Sequence, residues 1–180
     1  MDLTTLATAL PGIRKWIGDT IAQHEQAARS VESFGFTRLA CHYSAEPLAA
    51  ARVVVVDTIP KPPLTAIGLT AFKEFEEMVS AGITYLNHYF LRRGRENDES
   101  LHFHELVHTV QWQTLGPVDF LVAYACGHLL HGGYESNPFE LIAYELQRRF
   151  EGDGTRFGVE RLVKSHLSQT LLTLSGGQVS

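Results

Sequence analysis

The sequence predicts an α+β domain in which a small sheet comes first and helices follow. Residues 52–57 read Arg-Val-Val-Val-Val-Asp, and such a β-branched run is typical of a buried strand. Residues 82–87 alternate in polarity and are also rich in β-forming side chains, which predicts a second strand. From Ser100 onward the apolar residues recur at helical spacing. Strands followed by a run of helices are typical of the α+β class.

The N-terminal segment, residues 1–32, is expected to be helical. Its apolar residues recur at helical spacing from about Pro11 to Glu32, with charged residues between them, which predicts an amphipathic helix. Pro11 would lie near the first turn of this helix, where proline is tolerated, and Gly35 follows its end. We expect this helix to pack on the core without taking part in chemistry.

The other predicted elements follow from breaker residues and capping residues. Three prolines between residues 60 and 63 impose an extended connection after the first strand. A short helix is expected over residues 71–79, and the charged residues 92–99 are expected to form a loop. Asn137 and Pro138 have the residue types that favour a helix start. The helices predicted after the loop cover residues 100–115, 118–130, 138–151 and 159–174.

Composition limits the class of protein. The 180 residues are 44% hydrophobic and 19% charged, which predicts a single globular domain over residues 1–180. A net charge of −5 without a basic stripe argues against a nucleic-acid partner. Cys41 and Cys126 give no disulfide framework, and we expect both to be inert core residues. Because the apolar runs are shorter than a bilayer span and the N-terminus lacks a basic flank, we expect a cytoplasmic protein with no membrane segment.

The residues that point to chemistry lie at positions 104–108, which read His-Glu-Leu-Val-His inside a predicted helix. Four helical positions are just over one turn, or about 6 Å of rise, so the imidazoles of His104 and His108 project from the same face. Two neutral imidazoles at this spacing can chelate one Zn²⁺. Glu105 lies close enough to reach a water on that metal without being a ligand itself.

A catalytic zinc site needs a third protein ligand and keeps its fourth position open. Glu140 is the best candidate, because it lies in the first turn of a capped helix 32 residues beyond His108, with room for one intervening helix. The longer zinc motif with a third histidine is excluded, since Gln111 and Thr114 stand where it requires glycine and histidine. The alternative is that Glu140 is an ordinary first-turn glutamate, which the helix dipole favours.

Three stretches together resemble a small bacterial group of gluzincin-type zinc metallopeptidases. The stretches are Leu-His-Phe-His-Glu-Leu-Val-His-Thr-Val-Gln-Trp at 101–112, Gly-Gly-Tyr at 132–134 and Asn-Pro-Phe-Glu at 137–140. The resemblance covers about residues 50–151, the expected metallopeptidase core, and leaves the N-terminal helix and the helical tail of residues 152–180 outside. It implies a zincin-like fold, one zinc ion per chain, and a peptide or protein substrate.

The resemblance also implies roles for four of the site residues. The implied zinc ligands are His104, His108 and Glu140. Glu105 would act as the general base, which takes a proton from water and returns it to the leaving amine. The developing oxyanion needs a further donor. Tyr134, which lies between a Gly-Gly pair and the Glu140 helix, is the first candidate, and His131 is the second.

Several alternatives stay open at this point. His128 and His131 are three positions apart and form either a second metal pair or a polar edge of the helix. The strand at residues 82–87 lies either at an open edge of the sheet, where the backbone of a peptide could pair with it, or in the interior of the sheet. A protein that keeps zinc only for stability would close the site with a fourth ligand such as His131. A latent peptidase would fill its own cleft with the apolar stripe of residues 159–174.

Overall fold

The first half of the chain forms a sheet and the second half forms long helices. A computed structural model describes residues 3–152 and 154–176. The strands are β1 (Arg29–Ser30), β2 (Arg52–Val56), β3 (Gly82–Tyr85) and β4 (His88–Arg92). The α-helices are α1 (Leu3–His24), α2 (Ala45–Ala50), α3 (Lys73–Glu77), α4 (Glu99–His131), α5 (Pro138–Glu151) and α6 (Val159–Gly176). The predicted α+β class is therefore confirmed.

The four strands are ordered β1-β2-β4-β3. β2 and β4 are parallel and form the centre of the sheet, where Val54 lies opposite Phe90 and both side chains are fully buried. β1 pairs with β2 and β3 pairs with β4, both in the antiparallel sense. The β-branched run was correctly predicted as a strand, and its burial is complete at Val53 and Val54.

The prediction of one strand over residues 82–87 is wrong in its extent. β3 ends at Tyr85, and the chain turns through Leu86, whose φ of 59° is uncommon for a residue with a side chain. β4 follows directly and ends at Arg92, where the predicted loop begins. The hairpin lacks the Asn-Gly or Asp-Gly pair that would have indicated a tight turn in the sequence.

The predicted bounds of the N-terminal helix are wrong at both ends. α1 spans Leu3–His24 and contains Pro11 in its interior. It starts earlier because Leu6 continues the apolar face upstream and is buried. It ends earlier because residues 29 and 30 pair with β2 instead of continuing the helix. The short helix predicted at residues 71–79 is also shorter than expected, since α3 covers only five residues.

α4 is broken once, near its middle. Gly116 has φ 75° and ψ 167°, a conformation open almost only to glycine, and Pro117 follows it. The two helices predicted on either side of Gly116-Pro117 therefore exist as two segments of α4. Residues 101–112 of the first segment are all buried. This segment carries the His-Glu-Leu-Val-His motif through the centre of the domain.

The last two helices pack on α4. The side chain of Asn137 accepts a hydrogen bond of 3.1 Å from the backbone N–H of Phe139, which confirms it as the N-cap of α5. Val159, Val163 and Leu167 of α6 are almost fully buried, and α6 contacts α4 and α5. No helix of the described ranges has both the length and the apolar character of a membrane span. Residues 1, 2, 153 and 177–180, which the predicted domain includes, lie outside the described residues.

Candidate metal centre

Three buried side chains, His104, His108 and Glu140, converge inside the domain and are here called the metal triad. Nε2 of His104 lies 3.1 Å from Nε2 of His108. Oε2 of Glu140 lies 3.6 Å and 3.5 Å from these two nitrogens. Ligand atoms about 2.0–2.1 Å from a tetrahedral zinc ion are about 3.3 Å from one another. The triangle of donor atoms therefore has the size that one metal ion requires.

The local structure explains how the metal triad assembles. His104 and His108 are one turn apart on α4 and share a face. Glu140 lies in the first turn of α5, which Asn137 positions by capping the helix. The second segment of α4 can approach this cap because residue 127 is glycine. A Cβ atom on Gly127 would lie 2.8 Å from Oδ1 of Asn137, which is too close for any side chain there without a shift.

Two glutamines set the orientation of the imidazoles. Nδ1 of His104 lies 3.0 Å from Oε1 of Gln147, and Nδ1 of His108 lies 2.8 Å from Oε1 of Gln111. The amide group of Gln111 cannot be reversed, because its Nε2 donates a 3.0 Å hydrogen bond to the carbonyl oxygen of Phe139. An amide oxygen only accepts, so each Nδ1 must carry the hydrogen.

The amide of Gln147 is fixed in the same way, since its Nε2 donates to the carboxylate of Glu151 at 3.1 Å. With hydrogens on both Nδ1 atoms, each neutral imidazole directs the lone pair of Nε2 at the other. Oε2 of Glu140, which faces the same point, has no hydrogen-bond partner among the described residues. Three electron-rich atoms so close together repel each other unless a cation or a proton lies between them. The site therefore fits a metal ion, and this donor orientation is the one that histidine ligands adopt.

The pKa values of His108 and Glu140 also reflect how close these groups lie to each other. Burial alone would lower the pKa of His108, but the carboxylate of Glu140 outweighs burial and raises the pKa to about 9. Burial alone would raise the pKa of Glu140, but the adjacent His108 and His104 outweigh it and hold that pKa well below its usual range. Without a metal, the site therefore takes up a proton in its place.

Glu105 lies beside the metal triad without belonging to it. It is buried, and the hydroxyl of Thr84 donates a 2.7 Å hydrogen bond to its Oε2. A Cβ atom on Gly82 would lie 2.9 Å from Cδ of Glu105, so glycine at this position of β3 leaves room for the carboxylate. Burial raises the pKa of Glu105, although the neighbouring histidines oppose the shift. A carboxylate with a raised pKa is suited to accept a proton.

Tyrosines surround the carboxylate of Glu140. The hydroxyl of Tyr124 donates a 2.8 Å hydrogen bond to Oε1 of Glu140, and the ring of Tyr144 lies 4.7 Å from that of His104. Tyr134, the first candidate donor for an oxyanion, borders the same cavity as the metal triad. Burial raises the pKa of Tyr134 and Glu140 raises it further, so its hydroxyl stays protonated and can donate.

His131, the second candidate donor, lies outside the site. It is exposed and does not line the cavity that contains the metal triad. Its possible metal partner His128 is buried and stacks on the ring of Phe72 at 4.8 Å. The structure therefore does not bring these two histidines together as a second metal pair. Among the described residues, the group of donors that could hold a metal has three members.

Sequence reasoning missed the residues that hold the metal triad in place. Gln111 belongs to the stretch that carries the resemblance, but its contact with His108 was not predicted, although its position three residues later on the same helix face was a usable signal. Tyr124 and Gln147 carry no local signal, because they reach the site only through the packing of α4 and α5. Thr84 lies in a predicted strand, but its contact with Glu105 depends on how α4 crosses β3.

β3 is one of the two edge strands of the sheet, but part of its outer edge is hydrogen-bonded to α4. The indole N–H of Trp112 donates a 3.1 Å hydrogen bond to the carbonyl oxygen of Thr84. Of the two alternatives for this strand, the edge position is the one observed, and this edge is covered by Trp112 at Thr84. Cys41 and Cys126 are free and half-buried, and burial raises the pKa of the Cys126 thiol, which makes it less reactive.

The metal triad and Glu105 form part of the wall of one cavity. This cavity has a volume of about 120 Å³ and opens to solvent. Most of the lining side chains are apolar, and they come from α1, the segment before β3, and α4.

A comparison of this chain with protein-family models, with curated proteins and with solved structures finds no match in any of the three.

Proposed function

We propose that this protein is a zinc-dependent metallopeptidase with a zincin-like active site. The observation that carries the proposal is the position of Glu105. Its carboxylate is buried beside the metal triad, in the wall of the same cavity, and Thr84 holds it there. A metal site kept only for stability would not require a second carboxylate at this place.

The donor set favours zinc. His104, His108 and Glu140 would supply two imidazole nitrogens and one carboxylate oxygen, a set that is typical of catalytic zinc sites with one open position. When bound, zinc lowers the pKa of water toward about 7 and polarises a substrate carbonyl. The count of three donors in the described residues supports an open site over a closed structural one.

Glu105 would move the proton. Its carboxylate accepts a proton from the attacking water and donates it to the nitrogen of the departing amine. Burial raises the pKa of Glu105, because a carboxylate that is shielded from water holds a proton more tightly, and this favours the first transfer. The hydrogen bond from Thr84 to Oε2 fixes one oxygen, so the carboxylate has one preferred direction.

Tyr134 would stabilise the transition state. Its protonated hydroxyl lies in the cavity wall with Glu140 and can donate a hydrogen bond to an oxygen that becomes negative. The substrate would be a peptide or a protein. Tyr124, whose hydroxyl bonds Oε1 of Glu140, would act as a positioning residue that turns Oε2 toward the metal.

The test begins with metal content, measured by elemental analysis of protein purified without a histidine tag. We expect about one zinc per chain, a large loss in Glu140→Ala, and retention of zinc in Glu105→Gln. Peptide cleavage should be abolished in Glu105→Gln. A wild-type chain that stays metal-free after zinc is supplied would refute the zinc site, and a Glu105→Gln chain that still cleaves would refute the peptidase mechanism.

A further inference from the structure

The cavity at the metal triad is bounded on one side by α1. Leu6, Leu10, Ile13 and Ile17 all line it, at positions i, i+4, i+7 and i+11, which form one helix face. Leu6, Ile13 and Ile17 are buried, whereas Leu10 is half-buried. The metal triad and Glu105 line the same cavity, so α1 closes the space in which a substrate would lie.

α1 is held in place by aromatic contacts with the sheet. The rings of Trp16 and Tyr85 meet edge to face at 5.6 Å, and those of His24 and Phe90 at 5.3 Å. These contacts fix the helix against β3 and β4. The apolar face of α1 therefore has a fixed position relative to the metal triad.

The rest of the wall offers little to a charged group. Its other members are largely aliphatic and aromatic, including Phe72, Phe75 and Trp112. The ammonium of Lys61, a cation in this wall, donates to the backbone carbonyls of Phe75, at 2.8 Å, and Met78. Two of its three N–H donors are thereby engaged at the end of α3, but its positive charge remains, so a glutamate substrate is the stringent competitor to an apolar one.

We propose that α1 determines substrate specificity, and that the cavity accepts peptides with a bulky apolar side chain next to the bond that is cleaved. This inference rests on the proposed function, because the metal triad defines where the bond lies. A leucine or phenylalanine side chain would replace water against Leu10 and Ile13 and gain the free energy of apolar burial. A glutamate side chain would lose its hydration against this apolar face of α1, which offers it no polar partner.

The size of the space supports a substrate site over a packing defect. Core side chains normally interdigitate and leave few voids larger than a water molecule. A large empty space forfeits the dispersion contacts of the atoms that line it. Here the cavity has a volume of about 120 Å³, several times the roughly 10–15 Å³ that one water molecule needs, and it reaches Glu105 and the metal triad, the polar groups that a bound peptide would need.

The test uses the zinc-loaded chain and internally quenched glycine peptides that carry one central residue, which is alanine, leucine, phenylalanine or glutamate. We expect kcat/KM for leucine or phenylalanine to exceed that for glutamate at least about tenfold. Leu10→Phe fills the space and should lower the phenylalanine-to-alanine ratio about tenfold, and Leu10→Ala should not lower it. Both variants stay apolar, so folding should be retained.

Ala7→Leu is the matched control, because Ala7 is on the exposed face of the same helix. It should leave the ratio unchanged. The inference is overturned if the wild type cleaves the glutamate peptide as fast as the leucine peptide. It is also overturned if Leu10→Phe alters the ratio no more than Ala7→Leu does.

A binding measurement separates this inference from the proposed function. The zinc-free chain is titrated with acetyl-Leu-Phe-amide and acetyl-Gly-Glu-amide, and tryptophan fluorescence reports binding because Trp112 lines the cavity. Binding of only the apolar peptide, weakened in Leu10→Phe, supports the apolar site even if no peptide is cleaved and the peptidase proposal fails. No binding of the apolar peptide overturns the inference, whatever the activity.

Discussion

The hydroxyl of Tyr124 donates a hydrogen bond of 2.8 Å to Oε1 of Glu140, so that Oε2 is the oxygen that faces His104 and His108. The two residues come from different helices, α4 and α5. One carboxylate therefore links the packing of these helices to the geometry of the metal triad.

Tyr124→Phe should weaken metal binding by about 10- to 100-fold, as is typical when a partner of a metal ligand is lost. The carboxylate of Glu140 would be free to rotate, while the ring would still fill its place. Competition with a chelating dye measures the effect. Tyr43→Phe is the control, since its buried hydroxyl donates to the backbone carbonyl of Phe103 and its side chain does not line the cavity at the metal triad. It should cost about 1 kcal/mol of stability and leave metal affinity unchanged.

Gly82→Ala should reduce peptide cleavage at least about tenfold while zinc stays bound. The new methyl group would meet the carboxylate of Glu105 and push it away from Thr84. A small misplacement of a catalytic group is enough for such a loss. Gly18→Ala is the control, because a Cβ atom there meets nothing within 4 Å and the helix gains about 1 kcal/mol. Full activity in Gly82→Ala would contradict the role given to Glu105.

The metal-free protein should lose stability as the pH rises through about 9. The pKa of His108 is raised to about 9 in the fold, above its ordinary value near 6.5. The stabilising pair with Glu140 is then complete below about pH 6.5 and disappears as the proton leaves. Urea unfolding of the wild type and of Glu140→Gln measures this. Their difference in unfolding free energy should shrink between pH 6.5 and pH 10, and a constant difference would contradict the pair.

Metal binding should show the opposite dependence on pH. Zinc must displace the proton that the site holds, so its affinity should increase as the pH rises toward 9. The same two proteins, titrated with zinc at several pH values, provide the measurement. If the zinc affinity of the wild type did not change with pH, the metal triad would not be the group that holds the displaced proton.

α6 should prove necessary for folding. Leu167→Ala should cost about 2–5 kcal/mol, because its side chain is 1% exposed. Leu172→Ala on the same helix should cost less than about 0.5 kcal/mol, since that side chain is 73% exposed. A chain that ends after Gly158 should fail to fold. A truncated chain that folds and cleaves faster than the full chain would instead support the latent-peptidase hypothesis.

The sequence predicted the parts of the site that depend on local spacing. His104 and His108 share a face because they are four positions apart on a helix. The start of α5 followed from Asn137 and Pro138, whose preferences act within one turn. Glu140 could be placed near the histidines because one helix must reverse the chain between them.

The parts that depend on distant contacts could not be predicted in the same way. The end of α1 is set by the pairing of residues 29 and 30 with β2, which local propensity does not reveal. β4 begins after a turn at Leu86 that has no turn signature. The role of α1 as a cavity wall and that of Tyr124 as a partner of Glu140 arise only when the helices pack.

Gly116 lies eight residues after His108 and eight residues before Tyr124. In an unbroken helix those two residues would be about 24 Å apart, yet both reach the carboxylate of Glu140. The break thus divides this part of α4 into two segments, each of which extends about 12 Å from Gly116. A change of about 10° in the angle between them would move the far end by about 2 Å, more than a hydrogen bond tolerates. We therefore expect any metal affinity of the triad to depend on the backbone angles at Gly116, eight residues from His108.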